Sequence, residues 1–435
     1  MKSPFRKHLS APALIKTIFK EFSKIPDNAV FNRNPFISLT DHLMSGLAVF
    51  GLKCPSLLAY ERQRKETAGD KNLRDLYHVN KAPCDTYLRE RLDPVDPKHL
   101  RSSFKKLFFS FQRGKGLEEY EYLDGHVLLS GDGTGHFSSN KVSCPHCCQK
   151  KSRDGKVSYY HQMFGVCVVH PEKKNVIPLC PEPILKEDGA DKNDCERNAC
   201  KRFLRHFRRE HPHLKGIFLQ DGLASNAPNI EMLKESKLRF ILIAKPGDHR
   251  FLFEQLTSSK KSEYHEILSV DGCHHQFYFL NNVSLNKSRA DVKVNVPEYR
   301  CTDKKGKVVN FSWVTDIKLH KGNVLKIAQA GRARWKVENE TFNTLKNLGY
   351  NFTHSYGHGK QHLSTNFCLL MMPAFLIDQI QEACCTVFQK CKKKMGTYRD
   401  LWHKMCVLFQ TLALSSWENL YEIILGSKKL IMDTS

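Results

Sequence analysis

Two aspartates occupy positions at which acidic side chains could bind divalent metal ions. Asp132 and Asp221 each end a short apolar run, residues 127–132 and 216–221, that is typical of a buried β-strand. Glycines beside both acids permit tight turns and the close approach of a substrate. Phosphoryl transfer by two metal ions requires carboxylates held close together on rigid elements. If the two strands are neighbours, Asp132 and Asp221 (the acidic pair) can supply such a site.

A third carboxylate is expected from residues 324–347 (the signature segment), whose pattern predicts one long helix. At about 100° per residue, Glu340 falls on the polar face, whereas Glu338 points towards the apolar side that holds Phe342. A carboxylate on a core-facing side is costly unless it is paired or binds metal. We therefore predict Glu338 as the third ligand and Glu340 as a solvent-facing residue. Arg334, one turn earlier, could pair with Glu338, grip a DNA phosphate, or do both.

These residues together resemble a known family. Asp132, Asp221 and the run from Arg332 to Glu338 look like the motifs of the DDE transposases of bacterial insertion sequences, in the branch that has a β-rich insertion between its second Asp and its Glu. The resemblance covers about residues 125–359. The chain departs from that branch at Gly331, where the branch usually has Tyr, and at Leu345, where it has Lys; Lys346 lies one step further on.

The resemblance implies a DNA transposase that cleaves at element ends and transfers the freed 3′-hydroxyl into target DNA. Asp132, Asp221 and Glu338 would be the catalytic residues and would hold two Mg²⁺ or Mn²⁺ ions, which activate the nucleophile and stabilise the leaving oxygen. Double-stranded DNA, both element ends and target, would be the partner, and the protein would act as a homo-oligomer in the DNA complex.

Two other functions are compatible with the same residues. A metal-dependent nuclease with an RNase H-like fold would cut DNA without joining it. An inactive DNA-binding descendant of a transposase would keep the basic surfaces and lack catalysis, although the intact Asp132, Asp221 and Glu338 argue against this alternative. Joined DNA products would distinguish a transposase from the nuclease and from the inactive descendant.

A separate metal site is suggested by Cys144 and Cys147, which form a C-x₂-C pair typical of one half of a zinc site. The completing ligands would come from a set of four other residues: Cys180, Cys195, Cys200 or His170. The alternative is a loop that contains reduced thiols. With 16 scattered cysteines in a large chain, a disulfide framework is not expected.

The net charge of +23 favours a polyanionic partner through phosphate contacts and counterion release. Arg202, Arg205 and Arg209 lie on a predicted basic helix and are candidate DNA-binding residues, together with Arg334. The basic N-terminal residues lack the apolar run of a secretory signal, and the most apolar stretch, 367–377, is shorter than a bilayer requires. We therefore expect a cytoplasmic protein, nucleoid-associated when bound to DNA, without a membrane partner.

The order of elements predicts an α/β fold: an RNase H-like catalytic core with a β-rich insertion, flanked by helical N- and C-terminal regions. Three antiparallel strands, a helix and a further strand, with acids at strand ends, are the basis for this prediction. The predicted units are a helical region at 1–120 that could bind DNA ends, the first part of the core at 121–245, the insertion at 246–310, the rest of the core at 311–360, and a helical region at 361–435.

Overall fold

The computed structural model describes residues 7–27, 37–186, 195–269 and 272–427. In the N-terminal region, the described residues 7–27 and 37–120 are mainly helical, as their apolar spacing predicts. Serine caps begin two of the helices: the side chain of Ser38 accepts from the backbone N–H of Asp41, and that of Ser56 from Ala59. The helices are α1 (Ala11–Phe22), α2 (Leu39–Gly51), α3 (Leu57–Lys65), α4 (Thr67–Tyr77), α5 (Asp85–Leu92) and α6 (Arg101–Arg113).

The α/β class is confirmed by a mixed sheet of twelve strands that begins after these helices. Its first part consists of β1 (Glu121–Leu123), β2 (His126–Ser139), β3 (Cys148–Lys151), β4 (Val157–Val169), β5 (Ile177–Pro178), β6 (Glu182–Ile184), α7 (Glu196–Glu210), β7 (Gly216–Gln220), α8 (Ala227–Glu235) and β8 (Arg239–Ile243). β2, β7 and β8 run parallel, whereas β4 is antiparallel to β2. The other edge of β4 carries β3, β5 and β6.

Residues 246–310, predicted as a β-rich insertion, continue the same sheet. They contain α9 (Arg250–Ser258), β9 (Glu263–Leu268), β10 (His274–Ser284) and β11 (Lys293–Thr302), and β12 (Val308–Thr315) follows. β12 pairs antiparallel with both β8 and β11, so the strand order is β3-β4-β2-β7-β8-β12-β11-β10-β9. The strands of this segment therefore extend the central sheet at the edge away from β2.

The signature segment is helical throughout, but the prediction of one regular helix was wrong. It consists of α10 (Val324–Arg332), a 3₁₀ turn (Ala333–Trp335), a π-helix (Val337–Phe342) and α11 (Asn343–Asn347). Gly331 lies against the indole of Trp313, and a Cβ at this position would be 2.4 Å from the ring nitrogen. A tyrosine, the residue that the resemblance leads one to expect here, would not fit beside Trp313.

The described part of the C-terminal region, up to residue 427, is helical, as predicted, with α12 (Leu363–Cys384), α13 (Thr386–Met395), α14 (Tyr398–Thr411) and α15 (Trp417–Leu425). Helix α12 is longer than the apolar stretch predicted from the sequence, and among the described residues it is the one helix long and apolar enough to cross a membrane. However, 89% of its most apolar window is buried inside the protein, where it packs against α1, α2 and α6. Such burial is typical of a core helix.

Candidate functional site

The two aspartates of the acidic pair lie beside each other, one on β2 and the other directly after the neighbouring parallel strand β7. β2 and β7 pair from Val127–Gly216 to Ser130–Leu219, and the partners are 89 residues apart in the sequence. Asp132 and Asp221 are also 89 residues apart, so they lie side by side two positions beyond the last pair and on the same face of the sheet. Neighbouring strands are about 4.8 Å apart. The strand register therefore brings the two predicted aspartates together.

The environment of Asp132 differs from the prediction in one respect. The residue lies within β2, which continues to Ser139, rather than at the end of a strand, because the β2–β4 ladder extends beyond the β2–β7 ladder. Its Oδ1 accepts a bond of 2.8 Å from the backbone N–H of Gly133, and its Oδ2 lies 3.0 Å from Nη1 of Arg334. Partial burial raises the pKa of Asp132, opposed by these contacts, and the nearby charge of Asp221 raises it further.

Asp221 follows β7 directly and begins a short 3₁₀ turn, where its Oδ1 accepts from the backbone N–H of Leu223 at 3.2 Å. The predicted position of this acid at the end of a strand is confirmed. Asp132 and Asp221 are both half-buried. A partly open pair of carboxylates is suited to bind a hard divalent cation that keeps some of its water ligands.

Glu338 does not have the predicted environment. It is exposed, whereas Glu340, predicted to face solvent, is half-buried. The prediction assumed a regular α-helix, and the wider turn of the π-helix changes which side chains face inwards. Arg334 forms its ion pair with Asp132 instead of Glu338. Within the described part of the chain, Glu338 has no ion-pair partner.

Glu338 nevertheless lies between two residues that contact the sheet at the acidic pair. Four residues earlier, Arg334 binds Asp132, and the backbone carbonyl of Arg334 accepts a 2.6 Å bond from the hydroxyl of Ser130. Four residues later, the ring of Phe342 lies against Gly165, the partner of Asp132 on β4. The backbone that carries Glu338 therefore crosses the sheet face of the acidic pair, with the side chain of Glu338 open to solvent.

A further carboxylate, Glu196, was missed by the sequence reasoning. A Cβ on Gly133 would lie 2.0 Å from Oε1 of Glu196, so this carboxylate lies against β2 beside Asp132, on the sheet face opposite to the Asp132 side chain. Although Glu196 as a whole residue is exposed, partial burial of its carboxylate raises its pKa, and the charges of Asp132 and Asp221 raise it further. The only sequence signal for it is an acid in the first turn of the basic helix α7.

The three candidate DNA-binding arginines of α7 have different environments. Arg205 and Arg209 are exposed. Arg202 is half-buried, and its Nη2 donates to the backbone carbonyl of Pro183 at 2.8 Å. The buried face of the helix holds Phe203, Leu204 and Phe207, as the pattern predicts. Arg205 and Arg209 are thus the better placed for phosphate contacts, and Arg202 has a packing role as well.

The Cys144–Cys147 pair belongs to a cluster of four potential metal ligands (the cysteine–histidine cluster). Its other members are His161 on β4 and His358, and one ligand atom from each lies within 4.8 Å of all the others. The predicted completing ligands were wrong: Cys180 donates to the carbonyl of Pro181, Cys200 contacts Gln220, and neither Cys195 nor His170 belongs to the cluster. None of the 16 cysteines, all of which lie in the described residues, is in a disulfide.

No protein-family model matches the chain, and the comparison with curated proteins finds no match. The geometry of the acidic pair and the motif around it are therefore the features that point to a function.

Proposed function

We propose that this chain is a DDE-type DNA transposase, which cleaves DNA at element ends and transfers the new 3′ end into target DNA. The observation that carries the proposal is the register of the parallel strands β2 and β7, which brings Asp132 on β2 level with Asp221 just after β7. Two carboxylates held next to each other by neighbouring strands match the need of two-metal phosphoryl transfer for a shared, rigid binding site. The proposal includes double-stranded DNA as partner, a homo-oligomer in the DNA complex, and a cytoplasmic location.

The strand order supports an RNase H-like core as part of this proposal. β4 and β2 are antiparallel, the other edge of β4 carries only short strands, and α7 leads to β7, which pairs parallel with β2. β8 then pairs parallel with β7. The sequence predicted three antiparallel strands, a helix and a further strand for such a core. In the proposed core Asp132 lies on β2 and Asp221 directly follows β7.

The chemistry expected of bound Mg²⁺ or Mn²⁺ is activation of the attacking oxygen and stabilisation of the leaving oxygen. Asp132 and Asp221 offer the oxygen donors that these ions prefer, and Glu338 is the proposed third ligand from the segment that crosses above them. Arg334 offsets the charge of Asp132, and its Nε has no hydrogen-bond partner among the described residues. Arg334 and this Nε are buried, however, so a contact between Arg334 and a DNA phosphate would require the site to open.

Incubation of the protein with Mg²⁺, the DNA that flanks its coding sequence and a supercoiled target plasmid tests the proposal. We expect plasmids joined covalently to the 3′ ends of the flanking DNA. Hydrolysis without joined products would instead identify a nuclease. DNA binding without either product, in both Mg²⁺ and Mn²⁺, would identify a non-catalytic DNA-binding protein.

Metal affinity is expected to fall as pH decreases. The pKa of Asp132 is raised, so this carboxyl takes up a proton at higher pH than an ordinary aspartate, and Mn²⁺ must displace that proton. Below the raised pKa, the Kd for Mn²⁺ should increase by up to about tenfold per pH unit for each proton displaced. Calorimetric titration from neutral pH down to the pH at which ordinary carboxyls titrate measures this increase. A Kd that does not change over this range would contradict metal binding at Asp132.

The third acid is identified by comparing glutamine substitutions at three glutamates. We expect Glu338→Gln to lower strand transfer by about a hundredfold or more, because a metal ligand contributes several kcal/mol to the transition state. Glu340→Gln is the matched control, two residues away on the same π-helix, and should retain activity. If Glu338→Gln kept full strand-transfer activity and Glu196→Gln lost it, Glu196 would instead be the third metal ligand.

A further inference from the structure

We propose that Cys144, Cys147, His161 and His358 bind one structural zinc ion, which fastens the segment after the signature segment to the strands that carry Asp132. The four residues come from three separate parts of the chain: the turn before β3, the strand β4, and the irregular segment between α11 and α12. Cys144 is half-buried and the other three are buried. This proposal is independent of the proposed DNA chemistry.

The distances between the ligand atoms match a tetrahedral zinc site. With Zn–S of about 2.3 Å and Zn–N of about 2.05 Å, the edges of the tetrahedron are about 3.8 Å for S···S, 3.6 Å for S···N and 3.3 Å for N···N. The two sulfur atoms are 3.7 Å apart, and the Nε2 atoms of His161 and His358 are 3.3 Å apart. Three of the four sulfur–nitrogen distances are 3.5, 3.3 and 3.3 Å, and the fourth, from Cys144 to His358, is within 4.8 Å.

The hydrogen bonds around the cluster prepare its atoms to act as donors. Nδ1 of His358 lies 2.9 Å from the carbonyl oxygen of Gly359, which requires the proton on Nδ1 and leaves the lone pair of Nε2 free to bind a metal. The backbone N–H of Cys144 donates to Sγ of Cys147 at 3.4 Å.

The four protein ligands leave no open position, so the ion would be structural. The packing around the cluster indicates what it would hold in place. The ring of Phe137 is centred 4.4 Å from that of His358, and His136 stacks on His161 at 5.8 Å. Phe137 lies on β2, the strand of Asp132, and pairs with His161. Zinc would thus anchor the chain that follows Glu338 to the extended β2–β4 pair.

Elemental analysis of the full-length protein, purified under reducing conditions without chelator, tests the proposal. We expect about one zinc per chain, falling below about 0.1 in Cys147→Ser and in His358→Ala, together with a lower Tm. Cys148→Ser is the matched control, since this adjacent thiol donates to the carbonyl of Ile184 and lies outside the cluster; it should retain the zinc. Asp132→Asn should also retain it, which separates this site from the acidic pair.

Cobalt substitution keeps the test informative if a variant folds poorly. Co²⁺ in the wild-type protein should give the intense visible bands of a tetrahedral ion and thiolate charge-transfer bands, and Cys144→His should keep the tetrahedral bands while weakening the charge transfer. Wild-type protein that binds neither zinc nor cobalt, or that contains a Cys144–Cys147 disulfide in place of metal, would overturn the proposal. Equal zinc content in the wild type and in Cys147→Ser would do so as well.

Discussion

Replacing Asp132 with asparagine is expected to lower strand transfer by about a thousandfold or more, because it removes a ligand on which both proposed metal ions depend. The substitution preserves the volume of the side chain and the bond from the backbone N–H of Gly133. It also releases Arg334 from its ion pair. Binding of flanking DNA should therefore persist while joined products disappear, which gel-shift and strand-transfer assays on one preparation would measure.

Asp154→Asn provides the control for this substitution. Asp154 is exposed in the turn between β3 and β4, so the same chemical change should leave strand transfer close to that of the wild type. Equal activities of Asp132→Asn and Asp154→Asn would show that Asp132 binds no catalytic metal. The same result for Asp221→Asn would remove the acidic pair from the mechanism altogether.

The sequence was sufficient to predict the strands of the acidic pair because each has a short apolar run before its acid. It could not give the register that brings Asp132 level with Asp221, since pairing between strands 89 residues apart depends on the whole sheet. It also placed Asp132 at a strand end, whereas the antiparallel partner β4 prolongs β2 to Ser139. The pairing of β2 with β4 thus determines where β2 ends, which the local sequence pattern does not indicate.

The error at Glu338 has a different cause. A projection at a fixed angle per residue is valid only while the helix is regular, and residues 337–342 form a π-helix after a 3₁₀ turn. Gly331, packed on Trp313, shows that close packing constrains the start of this irregular region. Tertiary packing of this kind leaves no periodic signal, so the exposures of Glu338 and Glu340 could not be read from spacing.

The full cysteine–histidine cluster could not be predicted from the sequence either, because its ligands are far apart along the chain. The Cys144–Cys147 pair is a local motif, but His161 and His358 are 197 residues apart in the sequence. Neither histidine lies in a recognisable second half-site, because one is on a strand and the other is in a glycine-rich turn. Only the path of the chain after the signature segment brings His358 to β4.

A buried ion pair between the N- and C-terminal helical regions could not be predicted from the sequence either. Nζ of Lys53, just after α2, lies 2.7 Å from Oδ2 of Asp378 on α12, and the side chains are only 4% and 11% exposed. The hydroxyl of Tyr350 donates to the same oxygen, and the ammonium lies 4.3 Å from the ring centres of Tyr350 and Trp402. Burial lowers the pKa of Lys53, and Asp378 opposes that shift.

Asp378→Ala is expected to lower the free energy of unfolding by about 3–5 kcal/mol, because it leaves the ammonium of Lys53 buried without its counter-ion. Denaturant titration measures this loss. Asp70→Ala, which breaks an exposed pair with Arg74 on α4, is the control and should cost at most about 1 kcal/mol. The double variant Lys53→Met, Asp378→Asn buries no charge at either position and should lose less than Asp378→Ala alone.

The pH dependence of that deficit distinguishes an unpaired charge from lost packing. In Asp378→Ala, Lys53 would be neutral in the folded state at pH values where the unfolded chain still binds its proton. The unfolded state then holds more protons, so stability should rise with pH up to the ordinary pKa of lysine. The difference from the wild type should therefore shrink between pH 7 and 10. A deficit that stays constant over this range would indicate that the loss comes from a cavity at residue 378 rather than from the stranded ammonium.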